Sequence, residues 1–466
     1  GKPIKDLKKR LAAITYLDDI GAKFLWECNA PMFTYTANLI PEIADSIVEI
    51  DNAMRWGFAR EVGIFDAWDA IGVEKSVNKM KEENRKVPTW VDEMLAAGRK
   101  SFYEIKNGEM TYWCPVEKKS LVYAQNKKVL NLNLYKDTKN TIKRDWSASI
   151  HDIGDGVLNV EFHSIFVPAF NPLDRSMNDI MKHALDLLET GKYKGLVVGH
   201  QGKNWCAGAN VNDFKMAIDS GNLQVMDAGV KDMQNVTQRI RHSKYPVVTC
   251  PFNLALGGGF EFYACSSHTV ASGELYAGLV EAIQGLIPGA GGHLRVLLNL
   301  LENNDAKNVN MNIGRQAIEL INPMTVSRSA TDALKKGWLR KSDTIVMNSE
   351  HLLALGKSKV LEMSDAGYEP PKYRDDLTLP GMTLRTMASV GAKAMKAQGK
   401  ISDHDELVNS KSAYVLSGGK KGGLMSKVDE QHVLDIEREC FMSLAGEPKT
   451  QARIAHFLKT GKPLRN

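Results

Sequence analysis

Two carboxylates and a run of glycines carry the most chemistry in this 466-residue chain. Leu256-Gly257-Gly258-Gly259-Phe260-Glu261 follows an apolar run and precedes a helical pattern. Glycines let a backbone pass close to a ligand and adopt dihedral angles closed to other residues. A helix starting here would turn its free amides and the positive end of its dipole toward any bound oxygen. Such a site can hold negative charge forming on a carbonyl, and losing one donor of that kind costs about 3–4 kcal/mol of barrier lowering. Glu261 and Glu281, the latter 20 residues further on within Tyr276-Ala277-Gly278-Leu279-Val280-Glu281-Ala282, each interrupt apolar sequence. Apolar surroundings raise a carboxyl pKa toward neutrality and fit it for acid or base work. The turn-rich Gly285-Leu286-Ile287-Pro288-Gly289-Ala290-Gly291-Gly292 follows the second glutamate. A third segment, Lys203-Asn204-Trp205-Cys206-Ala207-Gly208-Ala209-Asn210, comes after the strand pattern at 195–199. It lies at a carboxyl edge, where α/β folds place ligands. Each segment alone also suits a plain structural use: a tight strand-to-helix turn, a carboxylate in a first helical turn, an ordinary glycine loop. Two carboxylates, both beside glycine-rich loops, point to paired acid–base work.

The elements that must position these residues alternate from about residue 166 onward. Met177 to Leu188 is amphipathic, Gly195 to Gly199 is a short apolar strand, Met226 to Arg241 is helical, and Pro246 to Cys250 is a buried strand. That alternation indicates α/β architecture. From about residue 300 the pattern is mostly helical. Met387 to Met395 reads as a core helix face, and Pro448 and Gly461 frame a last helix. Residues 1–115 read as helical. Ile43, Ile47, Ile50, Met54 and Phe58 fall at helical spacing, and Pro88-Thr89-Trp90 opens another helix that ends at Gly98. Residues 116–145 read as a linker with a hairpin. Ser120 to Tyr123 and Val157 to Phe162 are strand-like, and Asn107-Gly108 and Asp155-Gly156 are turn signals.

Composition excludes several classes. The net charge of +5, from 60 basic and 55 acidic residues, is too mild and dispersed for a nucleic-acid partner. No apolar run approaches the roughly 18 residues that span a membrane. The six cysteines form no C-x-x-C pair and accompany no histidine cluster, so no metal site is expected. Scattered thiols and no visible signal peptide lead us to expect a cytoplasmic protein. His200 and His293 lie near the motif loops, where local hydrogen bonding is the expected use.

Ala207-Gly208-Ala209-Asn210, Gly257-Gly258-Gly259-Phe260-Glu261, and Glu281 followed by Ile287-Pro288-Gly289-Ala290-Gly291-Gly292 resemble the crotonase superfamily in order and spacing. The resemblance implies an α/β crotonase domain over residues 146–366, a ClpP/crotonase-like spiral of ββα units. It implies that the Ala209 and Gly258 amides form an oxyanion hole for an acyl-CoA thioester. Glu261 would help activate a water and Glu281 would deliver a proton to the α-carbon. Ala207, Gly208, Gly257, Phe170 and Asn171 fall where the family lines its CoA and acyl pocket. The chain departs from the family pattern at Asn210, where aspartate is usual, and at Ala277-Gly278, where Phe-Gly is common. Pro41-Glu42-Ile43-Ala44-Asp45, Ala53 to Phe58 and Gly63 to Asp69 resemble the C-terminal helical domain of 3-hydroxyacyl-CoA dehydrogenases. Glu447 to Asn466 resembles the tail of bifunctional dehydrogenase/hydratases. The expected order is therefore an all-α dehydrogenase-like domain over 1–115, the crotonase domain, and a helical C-terminal region over 367–466. No G-x-G-x-x-G follows a strand, so no cofactor is expected in this chain, and NAD belongs to a nucleotide-binding domain upstream of it. The resemblance also allows a thiolase partner and a homo-oligomer.

Overall fold

The computed structural model describes residues 4, 6–106, 108–124, 126–136 and 139–466, with no side-chain description at 424. Asn107, half of one expected turn, and the chain start Gly1-Lys2-Pro3 lie outside the described residues. The chain forms two compact units. The first comprises Gly1–Asn126 and Asn133–Lys139, the second Lys127–Leu132 and Asn140–Asn466.

The N-terminal unit packs helices around an aromatic core. Phe33 stacks on Trp68 at 5.1 Å between ring centroids, and Phe102 meets both Phe65 and Trp68 at 5.1 Å. The helix expected from Ile43 starts later, at Ile47–Gly57, because Ser46 caps it by accepting the Glu49 N–H, leaving Ile43 exposed before it. The unit is not all-α. Tyr103–Lys106, Glu109–Cys114 and Lys119–Val122 form a three-stranded antiparallel sheet. Tyr103, Ile105, Tyr112 and Trp113 favour strands through their bulk near Cβ or their rings. Two aspartates, Asp51 buried and Asp69 half-buried, tie this unit together. Asp51 accepts the Phe65 and Asp66 N–H groups, and Asp69 accepts those of Phe102 and Tyr103.

The C-terminal unit is built from repeated ββα turns. Gly195–Val198, Val247–Thr249 and His268–Ser272 lie parallel in a seven-stranded sheet. The strand that follows each, Cys206–Ala207, Asn253–Leu256 and Leu275–Gly278, joins a second, three-stranded parallel sheet. A helix or 3-10 turn follows each second strand: Val211–Asp219, Gly258–Ala264 and Glu281–Gln284. The chain thus spirals, and the carboxyl ends of the three short strands, where the motifs lie, come together. The large sheet begins at Thr141–Arg144, which pairs with Ala148–Asp152, so part of the expected linker is sheet.

Residues 367–466 belong to this second unit. Leu377–Leu379 pairs with Gly423–Val428, and the helix Glu430–Ala445 is bound to Leu223–Arg241 through Gln234 Nε2 to Leu434 O at 2.9 Å and the Arg438–Asp227 ion pair at 2.6 Å. The helix Met382–Ala397 is not a core element. Met382, Met387, Val390 and Met395 are exposed, and only Leu384 and Ala392 are buried. The final helix runs Pro448–Thr460 and closes on Gly461. Among the described residues no helix is long and apolar enough to cross a membrane, and no group of three or more His, Cys, Asp or Glu could hold a metal ion.

Candidate active site

The glycine run has separate steric reasons at neighbouring positions. Gly257 ends the strand with φ +52°, a conformation closed to most L-residues, and a Cβ there would lie 2.9 Å from Glu281 Oε1. At Gly259 a Cβ would lie 2.3 Å from the Cys206 carbonyl oxygen, so glycine lets this helix sit against the adjacent short strand. Gly258 is the first residue of the helix, and an N–H in that position has no partner within the helix. The position a Gly258 Cβ would take lies 3.6 Å from the Ala209 nitrogen, which brings the two motif loops side by side. On either side of Ala209, Leu173 N–H donates to Gly208 O and Asn210 N–H donates to Leu173 O, both at 2.8 Å. Among the described residues no acceptor takes the Ala209 N–H itself.

Glu261 stands one turn into this helix and is 3% exposed. Its Oε1 accepts the Ala290 N–H at 2.8 Å and the Gly292 N–H at 2.7 Å. Burial, then the negative charges of Glu281 and Glu437, push its carboxyl well above the usual range, and the two amides offset part of that rise. Glu281 opens the 3-10 turn Glu281–Gln284, which Gly285 ends in a left-handed conformation. Burial raises it to about 7, with Glu437 adding to the rise. Among the described residues its Oε2 is buried and has no hydrogen-bond partner. The negative charge of Glu281 opposes ionisation of Glu261, so the two carboxyls titrate as a linked pair. Such a pair can supply an acid and a base.

Both glutamates line a single cavity of about 460 Å³. Of the other residues singled out in the sequence, Ala209, Gly258, Ala207, Gly208, Gly257 and Phe170 line it too. Asn171 does not. It is 1% exposed, its Oδ1 accepts the Ser164 N–H, and its Nδ2 donates to Asn204 O, so its side chain holds the loop together behind the cavity wall. The two histidines are engaged locally as expected. His200 lies against Trp205 O and accepts the Gly202 N–H, and His293 lies between Glu437 and Ser412. Sequence reasoning missed the far wall, which comes from Phe214, Val230 and Met233 and from the tail residues Phe441, Phe457 and Leu458.

Residues 167–303 match the family model described as enoyl-CoA hydratase/isomerase. Over 465 residues the chain is 38% identical to a Bacillus subtilis (strain 168) protein named "Probable 3-hydroxyacyl-CoA dehydrogenase", covering 100% of this chain and 57% of that one. It is 25% identical over 445 residues to a Rickettsia felis protein named "Putative fatty acid oxidation complex trifunctional enzyme", covering 95% of this chain and 54% of that one. The chain thus spans little more than half the length of either relative. A solved carnitinyl-CoA dehydratase from Mycobacterium thermoresistibile is 15% identical with a TM-score of 0.49, covering 68% of this chain and 91% of that one, too loose a likeness to argue from. Residues 167–303, the stretch that matches the enoyl-CoA hydratase/isomerase model, hold both cavity glutamates and the Ala209 and Gly258 amides.

Proposed function

We propose that the C-terminal unit hydrates trans-2-enoyl-CoA to 3-hydroxyacyl-CoA, as the hydratase half of a bifunctional β-oxidation enzyme. The observation that carries this reading is that two carboxyls, both with raised proton affinity, and two adjacent main-chain donors line one cavity. In the proposed reaction the thioester oxygen accepts the Ala209 and Gly258 N–H groups. A water oxygen bonds to the β-carbon and gives a proton to Glu261. The displaced π electrons collect on the thioester oxygen, where the two donors stabilise the charge. They return to form the new C–H bond when Glu281 gives its proton to the α-carbon. One proton then passes from Glu261 back to Glu281 and restores the pair. The apolar walls around Phe170, Phe214 and Met233 suit an acyl chain.

The test follows loss of enoyl absorbance with crotonyl-CoA and longer substrates. Each carboxyl accounts for roughly a hundred- to ten-thousand-fold in rate. A Glu261→Gln/Glu281→Gln double variant turning over at the wild-type rate overturns the reading.

One observation favours a second reading, double-bond isomerisation with Glu281 as sole base. Of the two glutamates, Glu281 has a buried oxygen with no donor among the described residues, whereas Glu261 Oε1 holds a loop. A Glu261→Gln variant that still migrates the double bond at full rate, with wild type unable to add water, selects isomerisation. Acyl-CoA binding without turnover at any chain length selects a scaffold role. In the bifunctional reading the dehydrogenase chemistry and its NAD belong to a domain outside these 466 residues. Purified chain of this length should not oxidise 3-hydroxyacyl-CoA alone.

A further inference from the structure

The loop that follows Glu281 is gripped from two sides. Its even-numbered amides, Ala290 and Gly292, donate to Glu261 Oε1. Its odd-numbered neighbours donate to a third carboxylate, Glu437. Gly291 N–H reaches Glu437 Oε1 at 2.7 Å, and His293 N–H reaches Oε2 at 2.9 Å. The His293 ring adds a contact from Nδ1 to Oε2 at 2.8 Å, and its Nε2 lies 3.0 Å from Ser412 Oγ. Glu437 is fully buried and projects from the tail helix Glu430–Ala445, beyond the residues that match the family model. A buried carboxylate is retained only where donors satisfy it, and here the donors are the loop that also orients Glu261.

The same tail grips the other glutamate. Arg453 Nη1 donates to Ala282 O at 3.2 Å, and Thr450 Oγ1 donates to Gly285 O at 2.9 Å, at the start and end of the turn that carries Glu281. Arg453 is itself buried and tied to Asp405 and Ser402.

We propose that Glu437 is a positioning residue of the catalytic pair, fixing the 290–293 loop against Glu261. This rests on the hydratase reading of the site. The titratable groups facing Glu437 are His293, Glu261, Glu281 and Cys440. Its negative charge raises the proton affinity of both catalytic glutamates. Neutralising it lowers the pH at which the pair gives up its proton. Hydration needs that proton, so the alkaline limb of the rate profile moves to lower pH.

The experiment compares wild type with Glu437→Gln. The expected result is an alkaline limb of kcat displaced downward by about one pH unit, with a roughly tenfold loss of kcat near pH 8 and little change in KM for crotonyl-CoA. The carboxyl titration of Glu261 and Glu281, followed by NMR of 13C-labelled glutamate and assigned with single Gln variants, should fall by the same amount. That readout needs no turnover. If wild type proves inactive toward every enoyl-CoA, the hydratase reading fails while the titration still decides the role of Glu437. A folded Glu437→Gln protein with an unchanged titration and an unchanged kcat profile overturns the proposal, as does a change in KM or thermal stability alone. If Glu437→Gln does not fold, Glu437→Asp decides. It keeps the charge and loses reach, so it should leave the titration near wild type and lower kcat severalfold. Wild-type kcat in that variant overturns the positioning role.

Discussion

The two units of this chain use buried carboxylates in the same local way and to different ends. In the N-terminal unit Asp51 and Asp69 each accept two consecutive main-chain N–H groups, and burial raises them to about 6 and about 7. In the C-terminal unit Glu261 and Glu437 each accept two N–H groups from alternate residues of one loop. A raised carboxyl affinity and a pair of amide donors therefore do not mark a catalytic group. The cavity separates the two sets: Glu261 and Glu281 line it, and the charge of Glu281 raises Glu261, whereas Asp51 and Asp69 do not line it.

Substitutions that remove charge from each set probe this contrast, and the largest effect is expected in the cavity. Glu281→Gln should lower the hydration rate by roughly a hundred- to ten-thousand-fold. Asp69→Asn, measured in the same crotonyl-CoA assay, should leave the rate at wild type, and a comparable loss there would erase the distinction. The next effect is on stability against pH. The folded-state affinities of Asp51 and Asp69 lie above those of an unfolded aspartate. Their contribution is therefore present in full below about pH 4 and is lost as the pH rises through 6 to 7, by on the order of 3 kcal/mol for Asp69. Hydrogen-exchange protection of residues 99–106 should weaken over that range in wild type and show a flatter slope in Asp69→Asn.

Each region also sets a glycine against an acid, which offers a matched pair of smaller changes. A Cβ at Gly63 would fall 2.2 Å from Asp51 Cγ, so Gly63→Ala should destabilise the N-terminal unit by about 1–3 kcal/mol in denaturant titration, with hydration unaffected. A Cβ at Gly257 would press on Glu281 Oε1, so Gly257→Ala should show its effect in kcat. The smallest effect is expected at Tyr103, whose hydroxyl lies 3.1 Å from Asp51 Oδ2. Tyr103→Phe should cost about 0.5–1.5 kcal/mol of stability, read by the same titration.

Much of the candidate site was legible because its information is local. Gly257, Gly258 and Glu261 sit within five residues of one another, and the steric reasons for the glycines follow from a backbone that must approach its neighbours. The α/β architecture was legible through strand–helix alternation, whereas the spiral of ββα turns was implied only by the crotonase resemblance. The strands Tyr103–Lys106 and Glu109–Cys114 were not legible, because they lie inside the stretch read as helical, and only Ser120 to Tyr123 in that sheet had a strand pattern. Asn171 was misplaced because its loop, but not its side chain, lines the cavity. Glu437, Thr450 and Arg453 carried no signal at all. They lie more than a hundred residues from the segments they hold, and an amphipathic helix with one acid among its apolar positions has no feature that says which loop will meet it.

The alternation of amides between Glu261 and Glu437 makes the two acids joint owners of one stretch of backbone. Transplanting the terminal helices between relatives would succeed only if the incoming helix brings an acid of the same reach to meet residues 291 and 293. Length changes in the loop of even one residue would exchange the two sets of donors and leave both acids facing the wrong partners.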